Sequence, residues 1–483
     1  MQVISLWFLI FFAVAAAVYY LLPPKVRYIW LFAASIFFYI SQGTAHTVFL
    51  LLSMATTWAG GLLLERYTDR AAARRMVFVT VLAANLLMMI YFKYIGFLTG
   101  GRLTSPILPI GISFYLFQAA GYLIDVRRGT IPAEKNPIRY GLFVCFFPIV
   151  LSGPIERGGH LLPQFRTDFQ ETIRFDADRV RRGMVRMLWG FFCKLVLADR
   201  IAIAVNAVYL SPADYGGTVL FLTSLLYTMQ LYLDFSGYSS IAVGTAQVLG
   251  IEVMENFRAP YLTESIGSFW RHWHISLSTW FRDYLYIPLG GSRRGRARKR
   301  LNLLIVFTLS GMWHGADLTF LIWGLLHGLY MVLGDLTKTA RERMAAFCCG
   351  RDGRYCSVIR SLRIIRTFLF VNFAWIFFRS GTLTEALTVF RGFLHPAVWQ
   401  LFDGTLLSLG VHTAEWWMIV LGCLLVFTSD RILLHEGCDL TVWISNRPLF
   451  IRWPVVMLGI LVVLVCGVWG PGYDASSFIY YRF

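Results

Sequence analysis

Charge is what this sequence has least of: 15% of its 483 residues are Asp, Glu, Lys or Arg, against about 25% in soluble domains. So few charges cannot cover a soluble surface. Acids are the scarcer sign, 27 against 44 bases, for a formal net charge of +17. In a soluble chain that excess would suggest nucleic acid. Here the bases sit in short loops between apolar stretches, which makes them a topology signal, and no nucleic-acid partner is expected. The eight cysteines are scattered, several inside apolar segments (Cys145, Cys193, Cys423, Cys466), so a secreted disulfide framework is excluded. Cys348, Cys349 and Cys356 lie in a basic loop without nearby histidines. A reduced cytoplasmic loop explains them better than a metal site or a lipid attachment. Glycine-rich nucleotide loops, zinc spacings, serine elbows, internal repeats and long linkers are all missing, and no bound cofactor is expected.

What the chain does have is apolar length, with 57% hydrophobic residues. Its first apolar run, Val3 to Leu22, has no basic residue before it, unlike a cleaved signal peptide, and is expected to remain as a helix. Lys25 and Arg27 then place the amino terminus outside and the first turn in the cytoplasm. Tyr28 to Leu64 is uncharged and long enough for two passes turning at Ser41-Gln42-Gly43. Further apolar stretches run near 76–98, 107–124, 139–155, 184–210, 217–250, 302–316, 318–334, 365–378, 413–434 and 454–470. The expectation is an all-α integral membrane body of about eleven to thirteen passes. Proline and glycine interrupt several of them, Pro106, Pro109 and Gly111 in one and Pro148, Gly153 and Pro154 in another. Broken helices of this kind line cavities.

Two strongly basic stretches, 293–300 and the one holding Lys338, Arg341, Arg343, Arg351, Arg354, Arg360, Arg363 and Arg366, belong on the cytoplasmic side. The residues between must leave the inner face and return, turning near Gly315-Ala316-Asp317. Leu301 to His314 rises roughly 20 Å as a helix, past the midplane of a core about 30 Å thick.

The segment from Ser268 to Tyr284 is too polar and aromatic for a lipid-facing helix. On continuous helical spacing Trp270, Trp273, Leu277, Trp280 and Tyr284 share a stripe, and His274 lies one turn beyond Trp270, close to Ser278. The stripe suits packing, but Arg271, His274 and Arg282 need partners or water, which points to a cavity. His272 points about 160° away from His274 on a helix, which argues against a two-histidine metal site. A second segment, Trp313-His314-Gly315-Ala316-Asp317 followed by Trp323-Gly324 and His327-Gly328, buries histidines in apolar helices. Each could be a neutral imidazole bonded to a neighbouring helix, and for His327 packing is the favoured explanation. Chemistry favours a histidine because it accepts a proton near neutral pH and activates a hydroxyl. Asp234, an isolated acid, needs a partner or water, with structural pairing favoured over catalysis. Asp317 suits a helix cap or the border of an outer cavity.

Taken in order, these pieces resemble the membrane-bound O-acyltransferase superfamily, in particular its bacterial alginate O-acetyltransferase branch. The resemblance runs through Phe146-Phe147-Pro148, Ser152-Gly153-Pro154-Ile155, Asp234-Phe235-Ser236-Gly237-Tyr238-Ser239, Asn256-Phe257 and Phe269-Trp270-Arg271-His272-Trp273-His274. It continues in Trp313-His314-Gly315, Trp323-Gly324, His327-Gly328 and Asn372-Phe373-Ala374-Trp375-Ile376-Phe377-Phe378-Arg379. Ser240 and Ser268 depart from it, standing where relatives often carry an acid. The resemblance implies a helical body with cytoplasmic and external funnels, His314 as the catalytic histidine and His274 as the second polar position. Trp270, Arg271, Trp273, Ser278, Arg282, Trp313 and Asp317 are then expected to line the cavity.

It further implies three regions: 1–135 as amino-terminal transmembrane helices, 136–335 as an acyltransferase core, and 336–483 as a basic loop with carboxyl-terminal helices and an aromatic tail. That tail, Phe478-Ile479-Tyr480-Tyr481-Arg482-Phe483, resembles an F-x-Y-x-x-F motif associated with polysaccharide acylation, with Tyr480 as the acyl relay. A phenol ester keeps much of a thioester's transfer potential. Anchoring of the same rings at the membrane interface is the competing explanation. The expected function is O-acetylation of an extracytoplasmic polysaccharide such as alginate, from a cytoplasmic thioester donor, acetyl-CoA, in a bacterial inner membrane. A periplasmic esterase-like protein is the expected partner, completing transfer to the polysaccharide. D-alanyl or other acyl transfer to a cell-wall polymer is the alternative, and a transporter or flippase the rival from another class.

Overall fold

The computed structural model describes residues 1–103, 108–349 and 356–469, apart from the side chains of residues 345, 348 and 349. Among these residues the fold is helical, with no strand beyond one isolated bridge, Phe257 to Trp273. The chain divides into two compact units. One comprises residues 1–191 with 238–255, the other residues 192–237 with 256–469.

In the first unit α1 (Leu6–Leu21), α2 (Pro24–Ile40), α3 (Thr44–Arg66) and α4 (Ala71–Leu98) follow one another through short turns. Ser5 caps α1 by accepting the Phe8 N–H at 3.2 Å, and Pro24 opens α2 where a missing N–H costs nothing. The expected turn at 41–43 separates α2 from α3. Arg27, a topology marker in the sequence, is buried and donates to the Ile173 carbonyl at 2.7 Å. It therefore pins this turn to the 170–173 segment.

Next come α5 (Ile112–Arg128) and α6 (Pro137–Cys145), the latter capped by Asn136, which accepts the Ile138 N–H at 2.9 Å. Residues 146–156, which contain Pro148 and Pro154, are irregular and buried. Non-helical backbone is tolerated at membrane depth when protein surrounds it. Gly111, at φ +73°, makes room for this segment: a Cβ there would sit 2.5 Å from the Val150 carbonyl oxygen. Three shorter helices, α7 (Gly158–Leu161), α8 (Thr167–Thr172) and α9 (Ala177–Phe191), complete this stretch. Near 184–210, one apolar run in sequence becomes three pieces: α9, a π-helix at Phe192–Ala198 and α10 (Asp199–Leu210).

The longest helix is α11 (Gly217–Val248). The second unit continues with α12 (Ile266–His272), α13 (Ile275–Phe281), α14 (Arg296–His314), α15 (Leu318–Leu336), α16 (Lys338–Cys349) and α17 (Cys356–Arg379). It ends with α18 (Leu383–Gly392), α19 (Thr413–Glu436), α20 (Leu440–Ser445) and α21 (Leu449–Cys466).

Among the described residues seven helices, α3, α4, α11, α15, α17, α19 and α21, are long and apolar enough to cross a membrane. The sequence suggested eleven to thirteen passes. The difference has local causes: α1, α2 and α5 have 16 or 17 residues, α6 stops at Cys145, and α14 starts inside the basic run.

Candidate active site

α14 and α15 form the hairpin expected from the sequence, turning at 315–317. Glycine decides how closely they pack. A Cβ on Gly311 would meet the Phe320 carbonyl oxygen at 2.3 Å, and one on Gly324 would meet that of Phe307 at 2.4 Å. Gly311 and Gly324 face each other, a Cβ on either lying 3.0 Å from the other's Cα, the close approach by which small residues let membrane helices touch through their backbones. This contact sets the depth of His314, the last residue of α14. Its imidazole is 2% exposed and walled by Trp313 at 4.8 Å, Trp323 at 5.0 Å and Phe378 at 5.2 Å between ring centroids.

His274 arrives by a different route. The sequence suggested one helix through 268–284, but α12 stops at His272, Trp273 is extended and His274 takes the left-handed conformation at φ +44°. The reason lies in a tertiary pairing that competes with the helix. The Arg258 N–H donates to the His272 carbonyl at 3.0 Å, and the Ile275 N–H donates to the Asn256 carbonyl at 3.0 Å. Buried Asn256 also accepts the Ser276 hydroxyl at 2.7 Å. A left-handed non-glycine residue costs roughly 1–2 kcal/mol, and such strain concentrates at functional sites. The break aims the His274 ring between Phe235 on α11, at 4.7 Å, and Trp313, at 6.0 Å. Both histidines therefore touch the Trp313 indole, one from each side of a 40-residue stretch of sequence.

The break also separates the aromatic stripe. Trp270 faces a cavity, while Trp273 joins a buried cluster with Phe257 at 5.0 Å, Trp375 at 5.1 Å and Tyr261 at 5.8 Å. His272 turns back onto its own helix, with Nδ1 2.8 Å from the Ser268 carbonyl oxygen. His327 accepts the Trp270 indole N–H at 3.3 Å and lies among Trp323, Trp375 and Tyr330. These contacts give it a packing role.

A cavity of about 1160 Å³ opens beside this arrangement. Of the expected lining residues, Trp270, Arg271, Ser278 and Arg282 are on its wall; Trp273, Trp313 and Asp317 are not. Trp313 is buried against both histidines, and Asp317 is exposed at the start of α15. Lys299 and Ser310 both line the cavity, and the eleven helical steps from one to the other along α14 correspond to about 16 Å. Ser310 stands one turn before His314, and Ser278 one turn after His274. Toward Lys299 the wall is basic. Lys299 pairs with Asp335, and Arg363 pairs with Glu264 at 3.3 Å. Among the described residues Arg271, Arg341 and Arg366 have no carboxylate in ion-pair range, so this end presents uncompensated positive charge.

The second unit also holds a buried ion cluster that apolar periodicity alone does not reveal. Lys194 of the π-helix lies 2.7 Å from Asp199 and 2.5 Å from Asp234, all three at most 7% exposed. Asp234 thus has the structural partner that an isolated intramembrane acid needs. The available signal was Lys194 itself, a lone lysine within an apolar run. Tyr480 and the rest of the aromatic tail lie outside the described residues.

Known proteins resemble this chain over most of its length. Residues 134–380 match the model of the membrane-bound O-acyltransferase family. The probable alginate O-acetylase AlgI of Pseudomonas aeruginosa is 35% identical, the match covering 83% of this chain and 76% of that protein. A peptidoglycan O-acetyltransferase of Helicobacter pylori is 32% identical over 76% of this chain and 74% of its own length. A teichoic acid D-alanyltransferase of Bacillus subtilis is 29% identical over 62% and 77%. The matched region contains His274, His314 and the whole cavity wall, and the seven apolar helices fit an integral membrane enzyme. The chain belongs to the membrane-bound O-acyltransferase family and is an acyltransferase.

Proposed function

We propose that this protein moves acetyl groups from acetyl-CoA, bound in the basic cavity, to a hydroxyl destined for O-acetylation of an extracytoplasmic polysaccharide such as alginate. The observation that carries the reading is the cavity itself: unpaired arginines at one end, and at the other Ser310 and Ser278, each one turn from a buried histidine. Arg271, Arg341 and Arg366 suit the phosphates of a nucleotide-bearing thioester, because guanidinium groups bind phosphate through paired hydrogen bonds. The apolar wall formed by Leu303, Val306 and Phe307 suits the arm leading to the thioester.

In this scheme His314 takes the proton of the accepting hydroxyl as its oxygen attacks the thioester carbonyl. The C–S bond breaks, the ester forms, and the imidazolium returns its proton to the departing thiolate. His274 orients the carbonyl. The acceptor is Tyr480 of the tail or a hydroxyl on a periplasmic esterase-like partner, which completes transfer to the polysaccharide. Higher identity and wider coverage for the O-acetylating relatives support acetyl over D-alanyl as the group carried.

The test is to incubate the purified full-length protein with acetyl-labelled CoA, as wild type, His314→Ala and Tyr480→Phe. Label on the tail that disappears in both variants supports the donor, the base and the relay together. Acetylation that survives His314→Ala overturns the assignment of the base.

A further inference from the structure

A second cavity, of about 240 Å³, lies on the lipid side of the second unit, between α11, α17 and α19. Its walls are almost entirely apolar, including Met229, Leu262, Phe368 and Val426, but one carboxyl group, Asp430, faces into it. The Tyr232 hydroxyl bonds that carboxyl, 2.9 and 3.0 Å from its two oxygens. Among the described residues no lysine, arginine or histidine forms an ion pair with Asp430. One phenol leaves most of the acceptor capacity of a carboxylate unused, and such a group in hydrocarbon is costly unless a donor or cation meets it.

Two further features define what could meet it. Ile365 and Phe427, on the cavity wall, are 53% and 47% exposed on helices long enough to span the membrane, so the opening faces the bilayer. One turn along α17 from the lining residue Ile364, Arg360 shares Glu264 with Arg363, each pair at 3.3 Å. Arg363 and Glu264 line the main cavity, which leaves the Arg360 guanidinium, 61% exposed, as the positive charge on the Ile364 side of α17. Leu262, another wall residue, is two positions from Glu264. An acid inside, a guanidinium one helical turn away, and apolar walls open to lipid together complement a zwitterion with an acyl tail.

We propose that this cavity is a lateral binding site for an aminophospholipid, with its primary ammonium on Asp430, its phosphate on Arg360 and an acyl chain along Ile365 and Phe427. The inference does not depend on the identity of the acyl donor. Tyr232 and Tyr261 form the opposite wall and pack on Trp273 at 6.2 and 5.8 Å, so the lipid would sit behind the strained break at His274.

The experiment uses the full-length protein in nanodiscs containing phosphatidylethanolamine, phosphatidylglycerol and phosphatidylcholine in equal parts, followed by lipid retention in native mass spectra. Wild type should retain phosphatidylethanolamine over either competitor by about tenfold, the scale of a hydrogen bond to a charged group. Phosphatidylglycerol has no amine, and the quaternary ammonium of phosphatidylcholine has no N–H to donate. Asp430→Asn should abolish the preference. Ile365→Trp, which fills the entrance and leaves the carboxyl intact, should lower retention of all three and guards against an Asp430 variant that fails to fold. Equal retention of the three lipids by wild type, or an unchanged preference in Asp430→Asn, overturns the proposal. So does full displacement of the lipid by soluble phosphoethanolamine, which would make the occupant a water-soluble amine.

Discussion

The Lys194 ammonium lies 2.5 Å from Asp234, and the residue after Asp234 is Phe235, whose ring forms one wall of the His274 imidazole. A buried charge pair is thus one peptide unit away from the candidate site. Lys194 serves two carboxylates, Asp199 and Asp234, and removing different members has different consequences. Lys194→Met leaves two acids without their shared cation and should cost the upper part of the roughly 3–5 kcal/mol seen when buried pairs are broken. Asp234→Asn keeps the Lys194–Asp199 pair and should cost less. Thermal unfolding of the purified variants in detergent checks the order, and equal losses would contradict it.

The left-handed backbone of His274 gives a separate test. Glycine is relaxed in that conformation and alanine is not. His274→Gly and His274→Ala both delete the imidazole, yet the glycine variant should be the more stable by about 1 kcal/mol. Both should have low activity, so stability and acyl transfer separate within one pair of variants.

Close approach of α14 and α15 has no room for a methyl group at Gly311 or Gly324. Gly311→Ala should force the helices apart, cost about 1–3 kcal/mol from overpacking, and displace His314. Acyl transfer should fall further than the protein yield does. A variant with wild-type turnover would show that the backbone contact does not set the position of the histidine.

At the basic end of the main cavity, Arg341→Gln and Arg366→Gln should each raise KM for acetyl-CoA by about tenfold with little change in kcat, as expected for a charge-assisted contact far from the reacting carbonyl. A truncated thioester lacking the nucleotide should be insensitive to either change. If KM for both donors shifts alike, the arginines are holding the cavity open and not binding phosphate.

In the first unit, His160 Nδ1 lies 2.8 Å from the buried carboxylate of Glu156, and that hydrogen bond raises the imidazole pKa above its usual value. A folded-state pKa above the unfolded one means that protonation favours the fold. The contribution is complete below about pH 6.5 and disappears as pH rises through the folded-state value. Because His160 is 43% exposed, solvent screening keeps the effect under about 1 kcal/mol. His160→Gln should flatten the pH dependence of the unfolding temperature between about pH 6 and 8, measured beside wild type.

The sequence by itself determined the class of the protein and the residue types of its site. Low charge with long apolar runs requires a helical membrane body, because lipid offers no partner to an open backbone. The basic runs at 293–300 and 338–366, with a turn between them near 315–317, were enough to read a hairpin carrying His314. Local pattern could not supply what depends on distant residues. The helix from Ser268 to Tyr284 looked continuous because its spacing is helical. It breaks at His274 because Asn256 and Arg258 bond its backbone from elsewhere in the chain. Trp313 as the wall shared by both histidines, and Lys194 between two acids, follow from where α11, α14 and the π-helix meet. Tertiary structure also decided that Trp273 packs in the interior while Trp270 faces the cavity. Periodicity fixes which way a side chain points on an ideal helix, and a single left-handed residue redirects every side chain after it.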